Sequence, residues 1–228
     1  MTFTRPALFR VAALAALACA AGAAQATITV STSLSSFTTA AGGVVSTDKF
    51  SDLTINTYLG SLSTSRTAGS FGYSVTSSNL STDPNNFPSD LFVAPAAGTV
   101  ALSTAWFSDT LTLGNFAPTV RSVGTNLFGT STGAAYGELT GLALTIKATD
   151  KNGLTVTTTS TGNSLSSFVG FTSDVPLDSI VISATTPNTG ATVTIDNVVL
   201  SAVPEPSSWL LMLAGGAAVL SLAKRRRA

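Results

Sequence analysis

The stretch Leu142-Ala-Leu-Thr-Ile-Lys-Ala-Thr-Asp-Lys-Asn-Gly-Leu-Thr-Val-Thr-Thr-Thr159 decides how this chain folds. Apolar and polar residues alternate from Leu142 to Thr149, and a second β-type run follows from Leu154 to Thr159. A period of two sends successive side chains to opposite faces, the mark of a strand with one face buried. Between the runs, Asp150-Lys-Asn-Gly153 closes on Asn-Gly, the dipeptide that best tolerates the positive φ of a tight hairpin turn. The stretch therefore predicts an antiparallel hairpin.

Working outward, the same pattern recurs. Before the hairpin lie Ile28–Ser31, Val44–Phe50, Asn56–Leu62, Ser70–Thr76, Leu91–Ala94, Thr99–Thr104, Asp109–Phe116 and Val120–Phe128. After it come Ser167–Phe171, Ser179–Ser183 and Ala191–Ser201. Ser81-Thr-Asp-Pro-Asn-Asn-Phe-Pro-Ser-Asp90 is a loop, because two prolines and its Asp and Asn residues leave little capacity for a ladder. No helical period longer than two turns occurs before residue 205. About ten short strands in one domain predict an all-β fold, an antiparallel two-sheet sandwich of the jelly-roll type.

The two ends read differently. Arg5 and Arg10 precede the apolar run Val11–Gly22, and Ala24-Gln25-Ala26 fits an A-x-A cleavage site, so residues 1–26 are expected to be a cleavable signal helix. Cys19 sits inside the apolar run rather than after it, which argues against a lipidation site. At the other end, Pro204 and Pro206 fix φ and keep the chain extended around Glu205. Ser207–Ala223 carries no charge, and as a helix would be roughly 25 Å long, near the short limit for a membrane span. Lys224, Arg225, Arg226 and Arg227 follow as a stop-transfer block that stays cytoplasmic. The sandwich is thus expected over residues 27–202 and a terminal signal over 203–228, with the motif at 204–206, a transmembrane helix at about 207–223 and a basic tail at 224–227.

Six of the eleven cations lie in these two terminal segments. The body keeps five cations against nine Asp and Glu138, a net charge of −5. An acidic, sparsely charged body has no electrostatic footprint for nucleic acid. It also lacks His and Cys, which excludes Cys–His nucleophile pairs, His or Cys zinc sites, haem ligation and iron–sulfur clusters.

The order Pro204-Glu205-Pro206, apolar run, basic tail resembles the PEP-CTERM sorting signal. Val120 to Ser201, with Phe168-Val-Gly-Phe-Thr-Ser-Asp174 and Thr194-Ile-Asp-Asn-Val-Val-Leu200, looks like the end of lectin-like and carbohydrate-module-like jelly rolls, in which the last strand returns to mid-sheet beside the first. The first resemblance implies export through the general secretory translocon, transient anchoring in the inner membrane and processing by an exosortase. It also implies an association with extracellular polysaccharide or biofilm and a destination at the cell surface or beyond.

Candidate sites in the body are sparse. Asp196-Asn197 is the most distinctive pair: Asp196 either helps to hold Ca²⁺, the one cofactor suggested by the sequence, or satisfies neighbouring amides at a strand crossing. Trp106 and Tyr136 are the candidate glycan contacts, with Tyr58 and Tyr73 as further flat aromatic faces; the competing reading buries Trp106 and turns Phe107 outward. Glycoside hydrolysis needs two carboxylates at a set separation, and Glu138, in a turn-like stretch, has no identifiable partner. No catalytic residue is assigned. Two readings follow, a non-catalytic surface or matrix protein and a secreted carbohydrate-active enzyme using Asp/Glu chemistry.

Overall fold

The computed structural model describes residues 26–78, 90–96, 98–131, 138–139, 141–161, 163–186 and 190–202. In chain order its elements are β1 (Ile28–Ser31), α1 (Leu34–Ala40), β2 (Ser46–Asp48), β3 (Thr57–Tyr58), β4 (Ser63–Ala68), β5 (Phe71–Ser77), β6 (Leu91–Ala96) and β7 (Thr99–Thr104). They continue with β8 (Leu111–Gly114), β9 (Ser122–Ser131), β10 (Glu138–Leu139), β11 (Leu144–Asp150), β12 (Thr155–Ser160), β13 (Phe168–Ser173), β14 (Leu177–Ala184) and β15 (Ala191–Ser201). The hairpin forms as its alternation dictates: β11 and β12 pair from Leu144↔Ser160 to Thr149↔Thr155, and Gly153 takes φ +84° in the turn. Asp150 Oδ1 accepts hydrogen bonds from the Asn152 and Leu154 amides, which ties the turn to its own side chain.

Every strand pairing among the described residues is antiparallel, and the strands form two sheets. Sheet A runs β1-β13-β9-β15-β7-β6-β3, with β10 added beside β9 and β2 beside β15. Sheet B runs β12-β11-β14-β8-β5-β4. Between them lies one continuous core in which Leu144, Ile146, Ile180, Ile182, Leu111 and Leu113 of sheet B join Leu102, Val123, Leu127, Val193, Ile195 and Phe171 of sheet A. Each such side chain removed from water contributes roughly 1.5–3 kcal/mol, which offsets the entropy of ordering short strands without a disulfide.

The last strand is central, as expected, but its neighbours are not the expected ones. β15 lies beside β9 on one side and beside β7 and then β2 on the other, whereas β1 is an edge strand against β13. β1 is short, and its ladder with β13, from Ile28↔Ser173 to Ser31↔Gly170, holds it at that edge. A second departure is α1, two turns long, where no element was expected. Ser33 caps it by accepting from the Ser36 amide, and its one buried residue, Phe37, packs edge-on against Phe168. Phe37 lies so close to Gly170 that a β-carbon there would sit 2.3 Å from its ring. Gly170 thus lets the helix lie flat on the outer face of sheet A.

The expected signal helix before residue 26 and the expected membrane helix at 207–223 lie outside the described residues. Among the described residues, no helix is long and apolar enough to cross a membrane.

Candidate functional site

Among the described residues, one polar constellation joins Tyr73 to side chains that the sequence did not single out. β2 ends on Asp48, and β4 presents Arg66 opposite Tyr73 of β5. Asp48 comes from sheet A and the other two from sheet B, so the group bridges the sandwich. Arg66 Nε and Nη2 donate to the two oxygens of Asp48, both at 2.9 Å, while Nη1 and Nη2 donate to Asp52 at 2.8 and 2.7 Å. Tyr73 Oη donates to Asp48 Oδ2 at 2.7 Å, and the Phe50 amide donates to Oδ1 at 3.0 Å. The guanidinium carbon also lies 5.2 Å from the centre of the Phe50 ring, within cation–π reach. Together with Ser65 and Thr67, the ionic residues line an open depression of about 320 Å³.

The electrostatics follow from these contacts. The Arg66 guanidinium beside Asp52 holds that carboxyl below the usual range, even though Asp52 is largely exposed. Burial, followed by the Asp48 charge, pushes the Tyr73 hydroxyl far above its ordinary value. Two bidentate carboxylates keep Arg66 charged beyond any accessible pH. A general acid for glycosyl transfer needs a raised carboxyl pKa, and Asp52 is shifted the other way. Chemically this cluster is an ionic clasp between the sheets.

Asp196 occupies the bulge in β15, where the register against β9 shifts between Asp196 and Val199 and Asn197 takes φ +52°. Before the bulge the outer neighbour of β15 is β7, and after it β2. The carboxylate accepts from the Asn197 amide at 2.7 Å, from Asn197 Nδ2 at 3.0 Å and from Thr99 Oγ1 at 3.0 Å, while the Asp196 carbonyl accepts from Thr125 Oγ1 at 2.8 Å. Burial raises its pKa, opposed chiefly by the Thr99 bond. The carboxylate is thus held by its own bulge and by Thr99 at the start of β7. Among the described residues, no three His, Cys, Asp or Glu side chains gather as a metal site.

Trp106 and Phe107 do not alternate between core and solvent. β7 ends at Thr104, so both lie in a turn, where the Asp109 amide and the Thr104 hydroxyl bond to the Trp106 carbonyl. Both are half-buried and their rings tilt against one another with centroids 4.5 Å apart. Tyr58 is 46% exposed and packs on Phe92, whereas Tyr73 is buried in the clasp and offers no face to a ligand. Tyr136 and the side chain of Glu138 lie outside the described residues; the Glu138 backbone pairs with Thr130. Four hydroxyls on β7, β9 and β15 (Ser103, Thr130, Thr192 and Thr194) are buried and bond to one another at 2.6–3.2 Å, so they are structural partners rather than nucleophiles awaiting a base.

Among the described residues, the outer face of sheet B forms a broad polar surface. One row across it reads Ser63–Thr76–Thr112–Val181–Lys147–Thr157, and the next Ser65–Ser74–Gly114–Ser179–Thr149–Thr155. With strands about 4.8 Å apart, six strands give a hydroxyl-lined surface roughly 24 Å across, and Lys147 is the one charge in these rows.

Of the sequence-predicted terminal sites, Ala26 is described and half-buried. Thr27 next to it donates from its amide and hydroxyl to Asp174 Oδ2, at 3.3 and 2.5 Å. Ala24, Pro204, Glu205, Pro206 and Lys224 to Arg227 lie outside the described residues, and their assignment rests on the sequence. Residues 202–227 match the PEP-CTERM protein-sorting motif. The motif marks an exported exosortase substrate that is processed at the membrane. No curated protein and no solved structure matches the chain.

Proposed function

We propose that this exosortase substrate is a non-catalytic cell-surface or matrix protein whose sandwich contacts extracellular polysaccharide through the outer face of sheet B. The sorting motif at 202–227 is the observation that carries the reading, because an exported exosortase substrate has its body available outside the inner membrane. In the proposed life history the signal at 1–26 passes the translocon and is cut after Ala26. That cut converts the Thr27 amide into an ammonium already beside Asp174, so the mature end is held by an ion pair. The helix at 207–223 and the charges Lys224 to Arg227 then hold the chain until an exosortase acts at Pro204-Glu205-Pro206. The sandwich is read as a jelly-roll variant.

Two features support a binding rather than a catalytic body. The carboxylates around the open depression are both committed to Arg66, which leaves neither as acid or nucleophile. The hydroxyl rows of sheet B match the chemistry of a polyhydroxylated polymer, in which each Ser or Thr both donates and accepts. Co-sedimentation with insoluble polysaccharide from the producing cell tests this. The wild-type body should pellet, Thr112→Glu with Thr149→Glu should not, and no oligosaccharide should be released. A wild-type body that stays in solution, or one that liberates sugar, overturns the proposal.

A further inference from the structure

Sheet B ends on one side with β12, and we propose that this edge pairs antiparallel with β12 of a second copy of the chain. The phase of the hairpin shows what the edge offers. The Asp150 amide bonds to the Leu154 carbonyl, and the register then runs without a break from Thr149↔Thr155 to Leu144↔Ser160. In an antiparallel ladder bonded pairs alternate with unbonded ones. Val156, Thr158 and Ser160 therefore bond to β11, and Thr155, Thr157 and Thr159 turn their N–H and C=O groups away from it. The same three residues are exposed.

The other sheet edges are blunted. β3 is two residues long and β1 four. β4 is as long as β12, but β2 closes over one end of it, where a β-carbon on Gly69 would lie 2.6 Å from Ser46 Oγ, and the Arg66–Asp52 pair stands beside it. β12 has six residues, no charge, no proline and no bulge, so it lacks these sequence devices by which proteins keep an edge from pairing.

Charge identifies the occupant. A two-fold axis sets the edge strand against its own copy, so any charge near the axis would meet a like charge, which a charged strand resists and this neutral one does not. Centred on Thr157, the axis places Thr157 opposite Thr157 and Thr155 opposite Thr159, so all three outward amides and carbonyls are used in about six hydrogen bonds. The nearest charge in the pairing rows, Lys147, would be three strand spacings from its copy, about 14 Å and beyond the Debye length at physiological salt. The result is a continuous twelve-stranded sheet whose two Ser/Thr faces join.

The full chain in mild detergent, with its mass measured by light scattering, tests the proposal. Wild type should be a dimer. Thr157→Lys, which sets two like charges face to face on the axis, and Thr157→Pro, which deletes an outward donor without touching the β11 ladder, should each be monomers with an unchanged β-sheet circular dichroism spectrum. In a Cys19→Ala background, a short bis-maleimide should link Thr157→Cys to itself, whereas Thr155→Cys and Thr159→Cys should link efficiently only when mixed. A monomeric wild type, or a dimer that survives both folded substitutions at 157, would overturn it, since the second outcome places the contact elsewhere.

Discussion

Removing the Asp48 carboxylate should expose how the two sheets are joined. In Asp48→Ala, Tyr73 Oη and the Phe50 amide lose their acceptor and Arg66 loses two of its four charge-assisted bonds. Asp48 is buried and Arg66 half-buried, with side-chain exposures of 6% and 9%, so water can replace the lost partner only from the side of the open depression. Breaking a buried pair from one side costs about 3–5 kcal/mol. Arg66 keeps Asp52, which moves the expected loss to the lower end, about 3 kcal/mol, or a melting temperature lower by on the order of 10 °C for a domain this size. Asp52→Ala is the contrast. Its side chain is 65% exposed, and a pair of that kind contributes about 1 kcal/mol at most. A third variant, combining Asp48→Leu, Arg66→Met and Tyr73→Phe, removes Arg66 and Tyr73 together with their acceptor and should be more stable than Asp48→Ala, because only the Phe50 amide is then left without its partner. Urea titration of the body, residues 27–202, measures all three. If Asp48→Ala and Asp52→Ala cost the same, or the triple variant falls below Asp48→Ala, the clasp does not work by buried pairing.

Alkaline pH provides an independent handle on the same group. Tyr73 has a folded pKa well above its unfolded value near 10, so its contribution is complete below pH 10 and is lost above it, at about 1.4 kcal/mol per unit up to pH 12; the stability difference between wild type and Tyr73→Phe should shrink over that interval and be flat below it. Gly170→Ala should destabilise the body by about 2 kcal/mol, because the new methyl meets the buried Phe37 ring; a substitution within 0.5 kcal/mol of wild type in denaturant would mean that α1 lifts off without cost. Chelation by EDTA should leave the melting temperature unchanged, since Asn197 and Thr99 already occupy the Asp196 carboxylate, and a fall reversed by Ca²⁺ would instead make Asp196 a ligand. Glu205→Ala should leave export and folding intact yet accumulate full-length precursor in the inner membrane on immunoblots; normal processing would reduce Pro204-Glu205-Pro206 to a linker.

What the sequence made legible was local. Strand period and Asn-Gly turn chemistry act over fewer than ten residues, so β1, β7 and β15 fall where their residues predict, and the β11–β12 hairpin follows directly. Arg66 and Asp48 are 18 positions apart and meet only because β2 joins sheet A while β4 joins sheet B; no period records that choice. The available signal was compositional, one cation in the otherwise neutral Ser63–Ala68 in a body with five cations altogether. α1 was missed for a related reason. Leu34-Ser-Ser-Phe-Thr-Thr-Ala40 buries only Phe37, and its four Ser and Thr residues are poor helix formers, so its helix depends on the Ser33 cap and on the vacancy above Gly170. The neighbours of β15 likewise turn on the Asp196-Asn197 bulge, which the sequence marked as unusual without saying what it does. By re-aiming the central strand, the bulge passes its outer edge from β7 to β2. β2 in turn carries Asp48 to Arg66. Asp196-Asn197, for which the sequence offered both a calcium and a structural reading, therefore sits where β15 changes its outer neighbour, and its removal should be felt at Tyr73 as well as at Thr99.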